Sequence, residues 1–152
     1  DTIPRIFHGH GAIPAVTMAE LLSDGGMRQG AVRRVHQSDG SVLDEDITEL
    51  QRPNVQAYEI NSGLKFPLRA LVRSMTGRWL FRDEDGGTAI DWTFTFVLTS
   101  PLVWPVALFV RRDFTTAMNK ALGRAQAILE AGREGEPASH PPDVASSAQG
   151  DE

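Results

Sequence analysis

Large apolar side chains alternate with polar ones along residues 77–96, GRWLFRDEDGGTAIDWTFTF. Trp79 and Phe81 are two residues apart before the segment DEDGG. The large apolar residues after it are again two apart: Ile90, Trp92, Phe94 and Phe96. Because neighbouring side chains of a β-strand point to opposite faces of the sheet, this period of two predicts a hairpin with its rings on one face. Those rings cover either a packed core or the wall of a cavity.

The residues before this hairpin predict further strands of an antiparallel sheet. AVRRVHQ (31–37) and VLDEDITEL (42–50) flank an Asp39-Gly40 turn, and VQAYEINS (55–62) follows QRPN. The first arm of the hairpin extends back to residue 69, which brings the sheet to about five strands in succession. No segment of helical length separates these strands, so a parallel sheet is not expected.

The sequence predicts one helix before the strands of the sheet and one after them. Thr17 is a candidate N-cap with Glu20 three residues later, which predicts a short helix over residues 18–23. After the last strand, Ser100 can cap a long helix, whose regular part should cover residues 106–131 because Pro105 kinks its opening. Apolar side chains recur there at steps of three and four: Val106, Val110, Phe114, Ala117, Ala121, Ala125 and Ile128. This apolar stripe should pack on the aromatic face.

Length and composition predict one domain followed by a tail. The chain has 152 residues and no cysteine, which excludes disulfides, thiolate metal sites and a cysteine nucleophile. Residues 133–152 are rich in Pro, Ser, Ala, Gly and acid and are expected to be disordered, so that residues 1–132 form the domain. The tail carries −4 of the net charge of −5, which leaves the domain nearly neutral. Without a basic stripe, nucleic acid is not an expected partner.

Other common functional motifs are missing from the sequence. His8 and His10 are separated by one residue in a predicted loop with no third ligand in view, so no metal site is expected. There is no G-x-S-x-G elbow and no Gly-rich phosphate loop, and EDGGT is a hairpin turn, so no cofactor is expected. The longest apolar run, residues 102–110, is interrupted by Pro105 and falls short of the roughly 18 residues of a membrane span, so stable membrane insertion is not expected.

Strand alternation indicates which polar side chains share a face with the rings. Arg73 is in phase with the aromatic residues of its own strand. Glu45 and Glu49 fall on the face of VLDEDITEL where Glu45 is flanked by apolar residues, and Tyr58 should point the same way. The strand AVRRVHQ is ambiguous, since alternation alone does not decide whether His36 points inward or outward.

An inward Glu45 has more than one interpretation. In an apolar cavity the carboxyl group would be desolvated, which raises its pKa and suits proton transfer near neutral pH. Beside Arg73 it would instead stay ionised in a buried pair. The two residues therefore either satisfy each other, orient a ligand, or take part in acid–base chemistry. Two interpretations also remain for Tyr58, Trp79 and Trp92: each packs in the core or takes part in forming a pocket.

Several of these segments together resemble the START-like superfamily, and more narrowly its polyketide cyclase/dehydrase-type branch. The resemblance rests on GAVRRVHQSDGSVLDEDITEL, YEI, GRWLFRDEDGGTAIDWTFTF and the long terminal helix, and it covers residues 7–131. It implies an α+β helix-grip fold, in which a curved antiparallel β-sheet wraps around a long C-terminal α-helix and encloses an apolar cavity. The family normally opens with a strand and a helical segment before the part that matches, so a natural N-terminal segment is expected to be missing here.

The resemblance implies two alternative functions. The first, which the sequence favours, is a cofactor-independent cyclase or aromatase-like enzyme of polyketide or related secondary metabolism. It would fold an apolar substrate in the cavity and assist cyclisation or dehydration by positioning and proton transfer. The second is a non-catalytic protein that binds or transports a lipid or another hydrophobic small molecule. Either way the expected partner is an apolar polyketide-like or lipid-like molecule and the expected location is the cytoplasm. The oligomeric state, monomer or homodimer, is left open.

The candidate site residues follow from the expected cavity. Glu45, Tyr58 and Arg73 are the candidate catalytic residues. The candidate substrate-binding residues lie on the aromatic face and on the helix stripe: Met75, Trp79, Phe81, Trp92, Phe94, Phe114 and Met118.

Overall fold

Six consecutive strands form one antiparallel sheet whose spatial order follows the chain. A computed structural model of the chain describes residues 2–66 and 68–134. The strands are β1 Val16–Leu21, β2 Val32–Gln37, β3 Val42–Gln51, β4 Val55–Ile60, β5 Val72–Glu84 and β6 Gly87–Leu98. This meander confirms the antiparallel sheet that the sequence predicts.

Three helices accompany the sheet in the described part of the chain: α1 Ile3–Ile6, α2 Leu68–Leu71 and α3 Trp104–Glu134. A 3-10 turn, Pro101–Val103, leads into α3, and the predicted cap is present because Ser100 Oγ accepts a hydrogen bond of 3.2 Å from Leu102 N. The helix begins two residues earlier than predicted, because Pro105 lies in the first turn, where its missing N–H has no role. The predicted disordered tail lies outside the described residues from residue 135 onward.

Two tight turns agree with the sequence pattern. In the β2–β3 turn, Gly40 has φ of 76°, and Asp39 Oδ1 accepts hydrogen bonds from Ser41 N and Ser41 Oγ at 2.8 and 2.6 Å. In the β5–β6 turn, Gly86 has φ of 83°. Positive φ is readily adopted by glycine, which explains its place in both turns.

The short helix predicted over residues 18–23 is wrong, because most of this segment belongs to β1. Met18 lies opposite His36 and Glu20 lies opposite Arg34 in the ladder with β2. The Thr17 hydroxyl does not cap a helix but donates a hydrogen bond of 3.1 Å to the His36 carbonyl. A whole ladder of strand pairing outweighs a local capping pattern, since that pattern is worth only about 1 kcal/mol.

Alternation along the sheet is confirmed in most places and broken at three irregularities, one of them between Val16 and Met18 on β1. Trp92, Phe94 and Phe96 are half-buried, while the intervening residues of β6 are exposed. The register shifts between Val72 and Ser74 on β5 and again between Ile47 and Glu49 on β3. Each shift inserts one residue, so that the side chains beyond it change face relative to strict alternation.

The core lies between the sheet and α3. Four α3 residues are buried there: Phe114, Ala117, Met118 and Ala121. Phe114 packs its ring against Phe94 with centroids 4.5 Å apart, and against Phe96 with centroids 5.2 Å apart. The predicted apolar stripe thus packs on the predicted aromatic face except at Val106, which is exposed, and the α+β helix-grip fold is confirmed.

Candidate functional site

A cavity of about 150 Å³ lies between the sheet, α3 and the N-terminal segment. Most of its wall is apolar, with side chains from several elements: Phe7, Val35, Leu43, Ile60, Met75 and Phe114. Arg33, Glu45 and Tyr58, which are nearly fully buried, place polar groups in this wall. A few polar groups in an apolar concavity are the usual composition of a small-molecule site.

Arg33 and Glu45 form an ion pair across the β2–β3 ladder. The two residues lie directly opposite each other. Arg33 Nε donates to Glu45 Oε2 at 2.6 Å, and Arg33 Nη2 lies 2.5 Å from the same oxygen. Only 4% of Arg33 and 6% of Glu45 is exposed, so neither charge has more than slight access to water. The cavity wall therefore carries a desolvated pair of opposite charges.

Burial dominates the protonation of Glu45. Desolvation raises the pKa of this carboxyl group, and the neighbouring Arg33 guanidinium opposes the rise without cancelling it. A carboxyl group with a raised pKa exchanges a proton with a bound molecule more easily near neutral pH than an exposed one. Glu45 is therefore the titratable group of the cavity best suited to proton transfer.

Tyr58 is positioned by a glycine on the neighbouring strand. Gly77 lies opposite Tyr58 in the β4–β5 ladder, and a Cβ at Gly77 would overlap the Tyr58 ring. Arg33 also lies close to Tyr58, since its guanidinium carbon is 5.6 Å from the centre of the tyrosine ring. Burial raises the pKa of the Tyr58 hydroxyl, mainly by desolvation and further through Glu45, so the group stays a neutral hydrogen-bond donor.

Stacked rings form the aromatic part of the wall. Trp92 lines the cavity and stacks on Trp79 with centroids 4.1 Å apart and planes 17° apart. The buried Trp92 Nε1 has no hydrogen-bond acceptor among the described residues, although it lies near the Tyr58 hydroxyl. A buried N–H without an acceptor can donate to an oxygen of a bound molecule.

The structure brings together six of the ten predicted site residues. They line the cavity: Glu45, Tyr58, Met75, Trp92, Phe94 and Phe114. Trp79 lies behind Trp92 and Phe81 stacks in turn on Trp79, so both belong to the core next to the wall. Met118 is buried in the core between α3 and the sheet. These three residues lie outside the lining of the cavity.

The expectation that Arg73 faces the cavity is wrong. Arg73 occupies the register shift between Val72 and Ser74, where it is the inserted residue, and its side chain is exposed. Glu49 is likewise displaced by the shift on β3, and it pairs with Arg78 at 2.6 Å on the outer face. The cation beside Glu45 is Arg33. It lies on β2, the strand for which alternation did not decide which face points inward.

A second cavity of about 240 Å³ lies next to the first, towards the start of α3. Its lining includes Leu71, Leu98, Trp104 and Arg111. Phe94 and Val110 line both cavities and therefore stand between them. Alternation identifies the ring of Phe94, but it gives no indication that the space on its two sides is divided.

The three histidines in the described part of the chain, His8, His10 and His36, do not line either cavity. His36 points outward, where its Nε2 is 3.0 Å from Glu20 Oε1. His10 Nδ1 lies 3.1 Å from Lys120 Nζ on α3. Within residues 2–66 and 68–134, His, Asp and Glu side chains form no group of three that could hold a metal ion. In the same ranges, every helix is too short or too polar to cross a membrane.

A family model described as polyketide cyclase/dehydrase and lipid transport matches residues 6–130. A search of curated proteins found no match. Among solved structures, major latex-like protein 151 from Panax ginseng is similar, with a TM-score of 0.58, 12% identity, and coverage of 83% of this chain and 78% of that one.

Two further solved structures are enzymes by their printed names. Norcoclaurine synthase from Thalictrum flavum, in complex with dopamine and hydroxybenzaldehyde, has a TM-score of 0.55 and 15% identity, with 85% of this chain and 71% of that chain covered. The di-domain aromatase/cyclase BexL of the BE-7585A biosynthetic pathway has a TM-score of 0.53 and 25% identity. That match covers 75% of this chain and 39% of the longer BexL chain.

Proposed function

The chain belongs to the polyketide cyclase/dehydrase and lipid transport family, and from this premise we propose that it is a cofactor-independent cyclase or dehydratase for an apolar, polyketide-like molecule. One observation carries the proposal: the buried Arg33–Glu45 pair and Tyr58 stand together in the wall of a mostly apolar cavity. Charged groups are rarely kept in a buried apolar wall unless they are paired or functional.

Each polar group has a role in ring closure between two carbonyl groups of one chain. Glu45 takes a proton from the carbon beside one carbonyl, and Arg33 and Tyr58 donate hydrogen bonds to the oxygen of the resulting enolate. The enolate carbon then attacks the second carbonyl and forms the new carbon–carbon bond, and the alkoxide takes back the proton from Glu45. Loss of that hydroxyl with a hydrogen of the adjacent carbon, as water, gives the dehydrated ring.

The apolar wall supports this chemistry by holding the chain in a folded conformation. A cavity of about 150 Å³ has the volume in which a protein core takes up a single benzene ring. It therefore suits the ring that is being formed, while the rest of a longer substrate lies outside this cavity. Preorganising two reacting groups at close range contributes several kcal/mol to lowering a barrier, even without a strong acid or base.

The printed names of two neighbours agree with this proposal. A norcoclaurine synthase and a di-domain aromatase/cyclase share the fold, so that fold carries a synthase in one of those proteins and an aromatase/cyclase in the other. Because their identities to this chain are low, the assignment of cyclase activity rests on the cavity and its three polar residues rather than on the neighbours.

A second candidate function is carriage of an apolar molecule without chemistry. It is favoured by one observation, which is that Arg33 and Glu45 already satisfy each other at 2.5–2.6 Å without a ligand. Native mass spectrometry of the purified protein distinguishes the two functions. A lipid that co-purifies in stoichiometric amount, unchanged after prolonged incubation, would favour the carrier.

Turnover is tested with a linear poly-β-ketone thioester of N-acetylcysteamine as the probe. The protein should accelerate ring closure with loss of water, which mass spectrometry detects. Glu45→Gln and Tyr58→Phe should each lower the rate by about 100-fold, the usual contribution of a positioned acid or base. Asp44→Asn, on the outer face of the same strand, is the matched control and should keep the full rate. Full turnover by both site variants would show that this site assignment is wrong.

A further inference from the structure

We propose that the end of the molecule at the start of α3 docks on the surface of an anionic lipid bilayer, with the mouths of both cavities towards the lipid. This inference goes beyond the cyclase assignment and does not depend on it. It rests on two groups of exposed residues at one end of the molecule. We call them the apolar rim (Phe66, Leu102, Trp104, Val106 and Phe109) and the cationic collar (Lys65, Arg69, Arg73, Arg111 and Arg112).

The apolar rim is far more exposed than a folded domain usually leaves large apolar side chains. The exposed fraction is 89% for Leu102, 83% for Phe66 and 77% for Phe109, and Trp104 and Val106 are each more than half exposed. Val106 and Phe109 are three residues apart on α3 and so share one side of the helix. The neighbouring side of the same turns lines the cavities through Ala107, Val110 and Arg111. Large apolar side chains exposed together at one end of a domain mark an interaction site.

The cationic collar has a charge opposite to that of the molecule as a whole. The net charge of the chain is −5, yet residues 61–73 and 99–112 together contain five Lys and Arg residues and no Asp or Glu. These two segments lie side by side: Thr99 N and Thr99 Oγ1 donate hydrogen bonds to the Leu71 and Ala70 carbonyls at 3.0 and 2.7 Å. All five collar side chains are exposed. A local positive field therefore surrounds the apolar rim.

Rim and collar residues line both cavities. Phe66 and Lys65 line the first cavity, and Trp104 and Arg111 line the second. An apolar molecule that leaves a bilayer at this end would enter a cavity without crossing water. Exposed Trp, Phe and Leu side chains suit the boundary between the headgroups and the acyl chains. The flanking Arg and Lys side chains suit the negatively charged headgroups above it. Docking of this kind is peripheral and needs no membrane-spanning helix.

The proposal is tested by co-sedimentation with phosphatidylcholine vesicles that contain or lack phosphatidylglycerol. The full chain should bind the anionic vesicles at least about tenfold more tightly than the neutral ones, and high salt should weaken this binding. Leu102→Ser with Phe109→Ser should lower the affinity by about tenfold or more, because it removes the apolar contact. Arg111→Gln with Arg112→Gln should lower the affinity for anionic vesicles and flatten its salt dependence.

Matched controls exist at the opposite end of the molecule. Leu129, which is 58% exposed, lies some 20 residues further along α3, or about 30 Å. Leu129→Ser should bind vesicles like the unmodified chain, and so should Arg5→Gln with Arg82→Gln. Quenching of Trp104 fluorescence by brominated lipid, lost in Trp104→Phe, would place the rim within the bilayer.

Two results would overturn the proposal. One is binding by the Leu102→Ser and Phe109→Ser variant equal to that of the unmodified chain. The other is no binding of the full chain to anionic vesicles. A dimer in sedimentation velocity that the same variant dissociates would then show that a second copy of the chain covers the rim. Because vesicle binding is measured without substrate, neither result bears on the cyclase assignment.

Discussion

Residue by residue, the site depends on how the buried side chains of Arg33, Glu45 and Tyr58 share a small volume. Arg33 supplies the positive charge that keeps an ionised Glu45 tolerable, yet burial still raises the pKa of the Glu45 carboxyl group. Tyr58 occupies the space that Gly77 leaves open. Each of these relations gives an effect that can be measured in a single variant.

Arg33→Met should lower the free energy of unfolding at neutral pH by about 3 kcal/mol, because it removes the guanidinium that compensates the buried Glu45 carboxylate. Adding Glu45→Gln to that variant should recover most of the loss, since no carboxylate is then buried. Urea denaturation of the unmodified chain, both single variants and the double variant gives the coupling free energy between Arg33 and Glu45. Strictly additive effects would contradict an energetic link between the two residues.

The pH dependence of stability should report the raised pKa of Glu45. A carboxyl group whose pKa is higher in the folded than in the unfolded chain stabilises the fold in full below its unfolded pKa, about 4.3, and this contribution is lost as pH rises through the folded pKa. Stability of the unmodified chain minus that of Glu45→Gln should therefore decrease from pH 4 towards neutrality.

Asp44 gives a control of opposite sign on the same strand. The hydrogen bond from Arg34 lowers the pKa of the Asp44 carboxyl group, so its contribution is present above the unfolded pKa and lost as pH falls. Stability of the unmodified chain minus that of Asp44→Asn should therefore stay nearly level from neutrality down to about pH 4 and decrease as pH falls further. Equal slopes for the two variants would show that Glu45 is not dominated by burial.

Gly77→Ala should lower the free energy of unfolding by about 1–3 kcal/mol and displace Tyr58, because the new Cβ overlaps the tyrosine ring. Gly87→Ala is the matched control in a strand, since nothing lies within 4 Å of its Cβ position. Thermal unfolding measures the stability, and near-ultraviolet circular dichroism measures the ring environment. A neutral Gly77→Ala would contradict the close packing described for Tyr58.

Sequence reasoning reaches part of this site and misses the rest for identifiable reasons. Alternation finds Glu45 and Tyr58 because both sit in regular stretches of strand. It leaves Arg33 undecided, since arginine occurs on either face of its strand. Counting outward from the turn at residues 38–40 would have resolved it, because Gln37 pairs with Ser41 and Arg33 then falls opposite Glu45.

At the scale of elements, period and turn chemistry predict five of the six strands and the long helix. β1 was missed because its capping pattern is local, whereas its strand conformation depends on pairing with β2. The register shift at Arg73 is not predicted, because a bulge inserts one residue into a strand and no residue type at this position indicates it. Local signals thus fail here where long-range pairing decides the conformation.

The cap at the start of the last helix gives a prediction at this scale. Ser100→Ala should lower the free energy of unfolding by about 1 kcal/mol, because Leu102 N loses its acceptor. Ser100→Asp should restore most of that stability, since its carboxylate accepts the same bond. Chemical denaturation of the three proteins provides the comparison, and an Asp variant no better than Ala would show that the cap is not the cause.

For the whole molecule, the division of the interior into two cavities sets the size of ligand that fits. The resemblance of the sequence to a helix-grip family predicts a cavity, but the division depends on the packing of Phe94 against Phe114 across elements far apart in sequence. No pattern of period two or 3.6 contains that information.

Removing the partition should join the two cavities. Phe94→Leu should increase the affinity for long-chain fluorescent fatty acids relative to short-chain ones, because the two cavities then form one longer chamber. Phe96→Leu, which enlarges only the second cavity, is the matched control and should leave this preference unchanged. Equal chain-length profiles for both variants, measured by fluorescence titration, would contradict a partition at Phe94.

The stacked indoles of Trp79 and Trp92 provide the protein with a built-in optical reporter. Two nearly parallel chromophores 4.1 Å apart couple their electronic transitions, and such coupling produces a paired positive and negative band in far-ultraviolet circular dichroism. Only Trp92 of the two lines the cavity, so a molecule that enters and turns its ring would change the splitting while the backbone signal stays constant. Occupancy of the cavity can therefore be followed without a label and before any ligand has been identified.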